Sequence, residues 1–373
     1  MISSSIIAVD KPKINTRIGN KTLRIREANE EDKLLWDSFV DTQEGSFNYY
    51  FDCRYVDNNI RQLIVENDRS QVVCLCSFER DERALYASIR MNGILFRKDA
   101  THDLKYRASV DLLEYIEKIY GKRCSTFIIT EEIKLGYDVN IESRNAFIDH
   151  NFLLRNGSTP DLPCSHILPL KAPFEQYIWQ ELWSSKFRQA LNKVSRMGIK
   201  VIQDREFKYL DTYVDLLYKN FKRHGAPPPR RSQIFAEFNV FKDKTKLFVA
   251  LMDNRPIVIL NCHYTYSTCF LSGVGSFTKG TEDINKYVYK VAVEDACNNG
   301  YKFADFGHSY TEGLAGLKER YKCIRIPVKI YEKRYSTPRV FAELTPGLFH
   351  ICFNNTSYLW KEHRMIWQRI AHW

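Results

Sequence analysis

The sequence predicts an α+β fold of two similar units in tandem, each a mostly antiparallel central sheet flanked by helices. Three observations lead to it. Apolar residues recur at helical spacing in some stretches and alternate as in strands in others. Each half passes through helix, antiparallel hairpin, helix and strand in that order, although the residues themselves do not repeat. A segment rich in proline and serine, about residues 157–173, lies between the halves and reads as a linker. At 373 residues, 44% hydrophobic and 14% aromatic, the chain can fill a core in each unit. The expected division is residues 1–160, residues 161–340, and an aromatic and basic tail, 341–373.

In the first half, residues 23–27 alternate as a strand, and Asn29 caps a helix carrying Leu34, Leu35, Trp36 and Phe39. An aromatic stretch follows at 47–55. Residues 72–78 and 85–96 read as strands about the turn Asp81-Glu82-Arg83. A helix from Asp103 to Tyr120 stops at Gly121, and residues 125–130 return as a strand.

In the second half, Trp183, Phe187, Ala190, Leu191 and Val194 form a helical stripe stopped by Gly198, and residues 199–203 follow as a strand. Leu210, Tyr213, Val214, Leu217 and Phe221 mark a second helix, which runs into the stiff loop His224-Gly225-Ala226 and three prolines. Ser232 opens a short helix. Residues 246–252 and 257–264 are strands joined by Asp253-Asn254-Arg255-Pro256, a hairpin signal, and 269–274 extends the meander. A helix from Thr281 ends at Asn299-Gly300. Residues 301–306 alternate as a strand broken at Gly307-His308. Leu314, Leu317 and Tyr321 give one face of a short helix, and 324–331 reads as one strand.

Charge divides the chain unevenly. Residues 1–165 hold 23 Lys+Arg against 26 Asp+Glu, a net of −3, while residues 166–373 hold 32 against 19, a net of +13. A basic field of that kind attracts phosphates, acidic carrier proteins or RNA. No apolar run approaches the ~20 residues that span a bilayer, and the first ten residues lack the basic start of a secretion signal. The ten cysteines lack the paired spacing of zinc or redox motifs, so reduced core thiols, no bound metal and a cytoplasmic location are expected. In the tail, Tyr358, Trp360, Trp367 and Trp373 mix with Lys361, Arg364 and Arg369; this pattern packs on the protein body more often than on a membrane.

Several short motifs follow one another in an informative order: Ser185-Lys186-Phe187-Arg188-Gln189-Ala190-Leu191, then Gly198-Ile199-Lys200-Val201, Lys222-Arg223-His224-Gly225-Ala226-Pro227, and Leu247-Phe248-Val249-Ala250 with the Asp253–Ile257 turn. Phe270-Leu271-Ser272-Gly273, Asp305-Phe306-Gly307 and Gly316-Leu317-Lys318-Glu319-Arg320-Tyr321 complete the series. In this order the chain resembles the FemAB-like and CelD-like acyltransferases, which carry GNAT folds. The resemblance implies two GNAT-like domains side by side and transfer of an acyl or aminoacyl group to an amine. The pyrophosphate loop of simple acetyl-CoA enzymes, Gln/Arg-x-x-Gly-x-Gly/Ala at a helix start, is not matched by Gly273-Val274-Gly275 or Lys279-Gly280.

Acyl transfer to an amine needs a free amine, a stabilised oxyanion and tight positioning, and no covalent nucleophile. Lys318 follows Leu314 by four residues, at the margin of the expected buried face, and in the resembled enzymes a lysine at this position neutralises an oxyanion or a phosphate. Asp305 and His308, where the 301–306 strand ends, are candidate proton acceptors, with fixing of the turn an alternative for Asp305. Arg188 and Lys186 near a helix start suit a phosphate-bearing substrate. His224, in the stiff loop, and Tyr310 join the expected substrate-binding set.

The expected activity is N-acyl transfer from an acyl-CoA or acyl carrier protein to an amine of a small molecule or of an envelope or polysaccharide precursor. No tightly bound cofactor is implied; the acyl or aminoacyl carrier is a co-substrate. Aminoacyl-tRNA as donor is the first alternative, and an inactive polyanion-binding module the second. The expected assembly is a monomer or homodimer without stable membrane insertion.

Overall fold

Two sheets organise the residues that the computed structural model describes: 23–82, 86–131, 141–155, 162–223, 225, 227–276 and 281–335, with backbone alone for 14–16. His224 and the tail 341–373 lie outside the described residues. In chain order the first sheet takes β1 (Ile14–Thr16), β2 (Leu23–Glu27), β3 (Ile60–Glu66), β4 (Val72–Glu82), β5 (Ala87–Met91), β6 (Leu95–Phe96), β7 (Cys124–Glu131) and β8 (Leu153–Leu154). With them run the helices α1 (Lys33–Thr42), α2 (Cys53–Val56), α3 (His102–Tyr120) and α4 (Ile141–Asp149).

The second sheet takes β9 (Cys164–Pro169), β10 (Lys200–Asp204), β11 (Thr245–Met252), β12 (Arg255–Tyr264), β13 (Thr268–Ser276), β14 (Phe303–Ser309) and β15 (Ile324–Pro327), in the order β10-β11-β12-β13-β14-β9-β15. Its helices are α5 (Ser185–Ser195), α6 (Leu210–Arg223), α7 (Arg231–Val240), α8 (Glu282–Asn298) and α9 (Glu312–Glu319). Both sheets are mostly antiparallel, and each holds one parallel pair, β5 with β7 and β13 with β14. The mixed α/β architecture with two flanked sheets is therefore the one the sequence predicts.

Local chemistry explains many boundaries. Ser184 caps α5 by accepting from the Phe187 amide, and Thr311 caps α9 in the same way through Leu314. The Asp253-Asn254 pair adopts positive φ at both positions, 50° and 60°, the twist a two-residue hairpin needs, and β11 and β12 meet there as expected.

Several segments depart from the expectation; the single strand read over 85–96 is two, β5 and β6, and β4 runs on through Asp81 and Glu82. The proline-containing stretch read as a linker supplies β9, buried between β14 and β15; Cys164 to Leu168 is a fully buried strand, whose continuous burial leaves no alternation to read. Residues 60–66, which received no assignment, form β3. The single strand expected over 324–331 is two strands in different sheets. Pro327-Val328 turns the chain, so β15 pairs with β9, while β16 (Lys329–Arg334) inserts between β7 and β8 of the first sheet. Residues 329–334 follow the second sheet in sequence and hydrogen-bond in the first.

The second sheet's main core joins α5 and α8 to β11–β14 through Phe187, Leu191, Val288, Ala292, Leu260 and Phe306. α3 covers one face of the first sheet with Leu112, Leu113 and Ile116. A third cluster crosses the halves. Phe47 stacks on His263 at 4.2 Å between ring centroids and lies 4.5 Å from Phe241. Gln233 donates to Asp57 at 2.8 Å across the same junction. The nine described cysteines are buried, and none forms a disulfide among the described residues. Among the described residues no helix is long and apolar enough to cross a membrane.

Candidate functional site

A parting of two parallel strands sets the site. β13 and β14 are paired at Thr268↔Phe303, Cys269↔Ala304 and Phe270↔Asp305, and the register ends there. β13 continues to Ser276 and β14 to Ser309 without further pairing to each other, so the two strands part beyond Asp305. The parallel pair of the first sheet, by contrast, stays joined along the whole of β5, from Ala87 to Met91. Each of the two parting strands carries an irregularity. On β13, Ser272 is an extra residue between Leu271↔Cys262 and Gly273↔Asn261. On β14, Phe306 and Gly307 face only one residue of β9, because Asp305 pairs with Ile167 and His308 with Ser165. Gly307 has φ +72°, and the strand runs on through it rather than breaking as expected.

Lys318 is anchored to this second bulge. Its Nζ donates to the carbonyls of Gly307 at 2.8 Å and His308 at 2.7 Å, and the side chain is only 8% exposed. Two of the three ammonium donors are used, and the third has no partner among the described residues. Burial pushes the Lys318 ammonium down to about 8, and the neighbouring charge of Asp305 opposes that fall. The expected helix face is corrected here. Ala315 and Lys318 are the buried positions of α9, while Leu314 and Leu317 are 40% and 39% exposed. A lysine sits inside because two backbone carbonyls receive it.

The Asp305 carboxylate accepts from the Gly307 amide at 2.7 Å and from Ser165 Oγ at 3.3 Å. His166, wholly buried on β9, lies within 3.3 Å of Ser309 Oγ through Nδ1. Burial first and the Lys318 charge second depress His166 to about 4, so it is neutral at physiological pH. Burial raises the thiols of Cys164 and Cys323, which also lie close to Lys318 and are uncharged. His308 is half-buried, and its ring approaches exposed Tyr310 with centroids 6.2 Å apart.

An aromatic cluster links this corner to α5. Tyr321, three residues after Lys318, packs edge-on against Trp183 and Phe187, at 5.8 and 5.0 Å, and 4.9 Å from Phe306. The Trp183 indole also donates to the Tyr321 carbonyl at 2.9 Å. The first turn of α5 is thereby fixed beside β14 and α9, with Arg188 half-buried and Lys186 exposed. Arg188 donates to Ser185 Oγ at 3.3 Å, and its Nε is buried with no hydrogen-bond partner. Lys318, Asp305 and His308 thus form one group, with Tyr310 beside His308; Arg188 and Lys186 sit on the next element.

Gly273 and Gly275 serve packing. A Cβ on Gly273 would lie 2.7 Å from Tyr213 Oη, and one on Gly275 2.7 Å from Leu216 Cβ, so both glycines let α6 approach β13. Ser165, His166 and Cys164 were missed by the sequence reading because their strand was taken for a linker.

No family model matches the chain, and no curated protein matches it in sequence. Solved structures do resemble it. The crystal structure of FemX is 12% identical, covers 84% of this chain and 98% of its own, and superposes with a TM-score of 0.65. The C-terminal domain of a lysylphosphatidylglycerol synthetase from Agrobacterium fabrum is 11% identical, with coverages of 84% and 95% and a TM-score of 0.55. L-PGS from Bacillus licheniformis is 13% identical, with coverages of 85% and 96% and a TM-score of 0.54. At these identities the likeness is one of fold: the chain shares its fold with FemX and with the lysylphosphatidylglycerol synthetases.

Proposed function

We propose that this protein is an acyl- or aminoacyltransferase that works in the cleft between β13 and β14, with Lys318 as its cation. The observation that carries the reading is the buried ammonium on the β14 bulge, held by two carbonyls and with a third N–H to offer. A charge taken out of water acts more strongly on a nearby anion than a surface charge does. In the proposed reaction the acceptor amine attacks the donor carbonyl, the new C–N bond forms, and negative charge gathers on the carbonyl oxygen. Lys318 stabilises that oxyanion or a donor phosphate. The carrier then leaves with the bonding pair, and the proton lost by the amine passes to it, with His308 at the cleft wall as a candidate relay.

Support comes from the parted strands, from the absence of any need for a covalent nucleophile, and from the fold shared with FemX and the lysylphosphatidylglycerol synthetases. The acceptor is read as an amine of an envelope precursor or small molecule, and the donor as an acyl-CoA or acyl carrier protein. Lys318→Met is expected to lower turnover by about 100-fold or more, the scale of losing one oxyanion partner, while the far-UV spectrum stays native. Undiminished turnover by the folded variant would remove the proposed role.

One observation favours aminoacyl-tRNA as the donor. From Leu182 to Gln203 there is no acidic residue, and Lys186, Arg188, Lys193, Arg196 and Lys200 lie on or just after α5. None of the five forms an ion pair among the described residues, whereas the lysines of α8 pair with Asp283 and Glu294. A row of unpaired cations suits a phosphodiester backbone. Replacing Lys193, Arg196 and Lys200 together by Glu is expected to weaken tRNA binding by about tenfold or more at low salt and to flatten its salt dependence. Binding unaltered by the triple change would set the carrier-protein donor ahead.

A further inference from the structure

We infer that Asp305 is a positioning residue of this cleft: with Ser165 it holds the β14 bulge in the one shape that turns two consecutive carbonyls onto Lys318. The effect on turnover rests on the transferase reading; the arrangement itself rests on the backbone. In a regular strand, successive carbonyls point to opposite edges, so a single ammonium cannot take both. Here the Gly307 and His308 carbonyls are both within 2.8 Å of Lys318 Nζ. Something must hold the chain out of the regular ladder at that point.

Asp305 is placed to do so. It forms the last parallel pair, with Phe270, at the vertex where β13 and β14 part. Its carboxylate closes a turn over Phe306 by accepting the Gly307 amide at 2.7 Å, and Gly307 itself takes a left-handed φ of +72°, open to glycine without strain. Ser165, the partner of His308 on β9, adds its hydroxyl to the same carboxylate oxygen at 3.3 Å. The bulge is thus tied from within its own strand and from the neighbouring one.

Charge follows from the same placement. The groups facing Lys318 are Asp305 from β14, Cys164 from β9 and Cys323 beyond α9, with His166 of β9 close enough to feel its charge. The two thiols and His166 are uncharged near neutral pH, which leaves Asp305 as the counter-charge among the described residues. The charges of Glu312, Glu319 and Arg325 also reach His166, and both carboxylates pair with Arg325.

Three variants of the full-length protein separate the contributions. Asp305→Asn keeps an oxygen for the Gly307 amide and loses the charge, Asp305→Ala loses both, and Ser165→Ala loses only the second hydrogen bond. The titration of Lys318 is followed by NMR on protein carrying 13Cε-labelled lysine, with Lys318→Met identifying the signal. In Asp305→Asn the signal is expected to titrate about 0.5–1 unit lower than in the parent, since an ammonium stripped of its counter-charge gives up its proton more readily. Turnover is expected to fall by about 100-fold in Asp305→Ala, with kcat affected more than KM, by roughly tenfold less in Asp305→Asn, and by only a few-fold in Ser165→Ala. A Lys318 titration unmoved in Asp305→Asn would overturn the inference, as would an Asn variant as damaged as the Ala variant. Should the parent protein turn over none of the donors offered, the transferase reading fails, and the NMR titration still decides the role of Asp305.

Discussion

Lys318 shows how a single side chain trades stability for a chemical role. Lowering its titration from 10.5 to about 8 corresponds to about 3 kcal/mol spent on holding the charge away from water. Lys318→Met leaves the Gly307 and His308 carbonyls without their donor, at about 1 kcal/mol each. At pH 7 the variant is therefore expected to be as stable as the parent, or about 1 kcal/mol more so, although inactive. The sign with pH follows. Between about 8 and 10.5 the unfolded parent binds more protons than the folded one, so raising pH through this window stabilises the parent and erases the variant's advantage. Urea unfolding at pH 7 and pH 10 checks both expectations. The sequence marked Lys318, Asp305 and His308 through their motifs, but it placed Lys318 at the edge of an apolar face. Nothing in Leu314-x-x-Leu317 announces that the lysine, rather than the leucines, turns inward, because the carbonyls that receive it come from another strand.

Among elements, those with a strong period were legible and those defined by long-range pairing were not. The stripe of α5, the hairpin at Asp253-Asn254 and the cap at Asn29 follow from local chemistry, although at Asn29 the capped turn is a short 3-10 helix leading into α1; α8 begins after Thr281 without a side-chain capping bond. β9 was hidden because Pro163 and Pro169 bracket a short buried run, and β3 because it follows an irregular aromatic stretch. The two glycines of β13 belong to this scale as well. They resemble a phosphate loop in composition, yet α6 lies across them. At Gly275 an added Cβ would also meet the Leu217 amide nitrogen at 3.1 Å, which is backbone and cannot swing away. Gly275→Ala is expected to lower stability by about 1–3 kcal/mol, measured by chemical unfolding, through the forced shift of α6. An unchanged midpoint would mean that α6 sits more loosely on the sheet than these contacts imply.

For the whole molecule, the junction between the halves is as much a part of the structure as either core. Phe47, Phe241 and His263 pack across it, and Tyr331 of β16 is buried in the first core against Phe147, with ring centroids 5.2 Å apart. Unfolding is therefore expected to be one transition. Trp36 reports from the first half and Trp183 from the second, and both are buried. Variants that keep only one of these indoles as probe are expected to show the same urea midpoint, and two separate midpoints would show that the halves melt independently. The late return of β16 also bears on how the chain is made. β7 is complete at Glu131, yet the strand that flanks it ends at Arg334, 203 positions further on. At ~5–20 residues per second, the ribosome needs roughly 10–40 s to deliver it. For that interval the nascent first sheet carries an open edge beside β7, so chaperone occupancy on translating ribosomes should persist until the closing strand emerges.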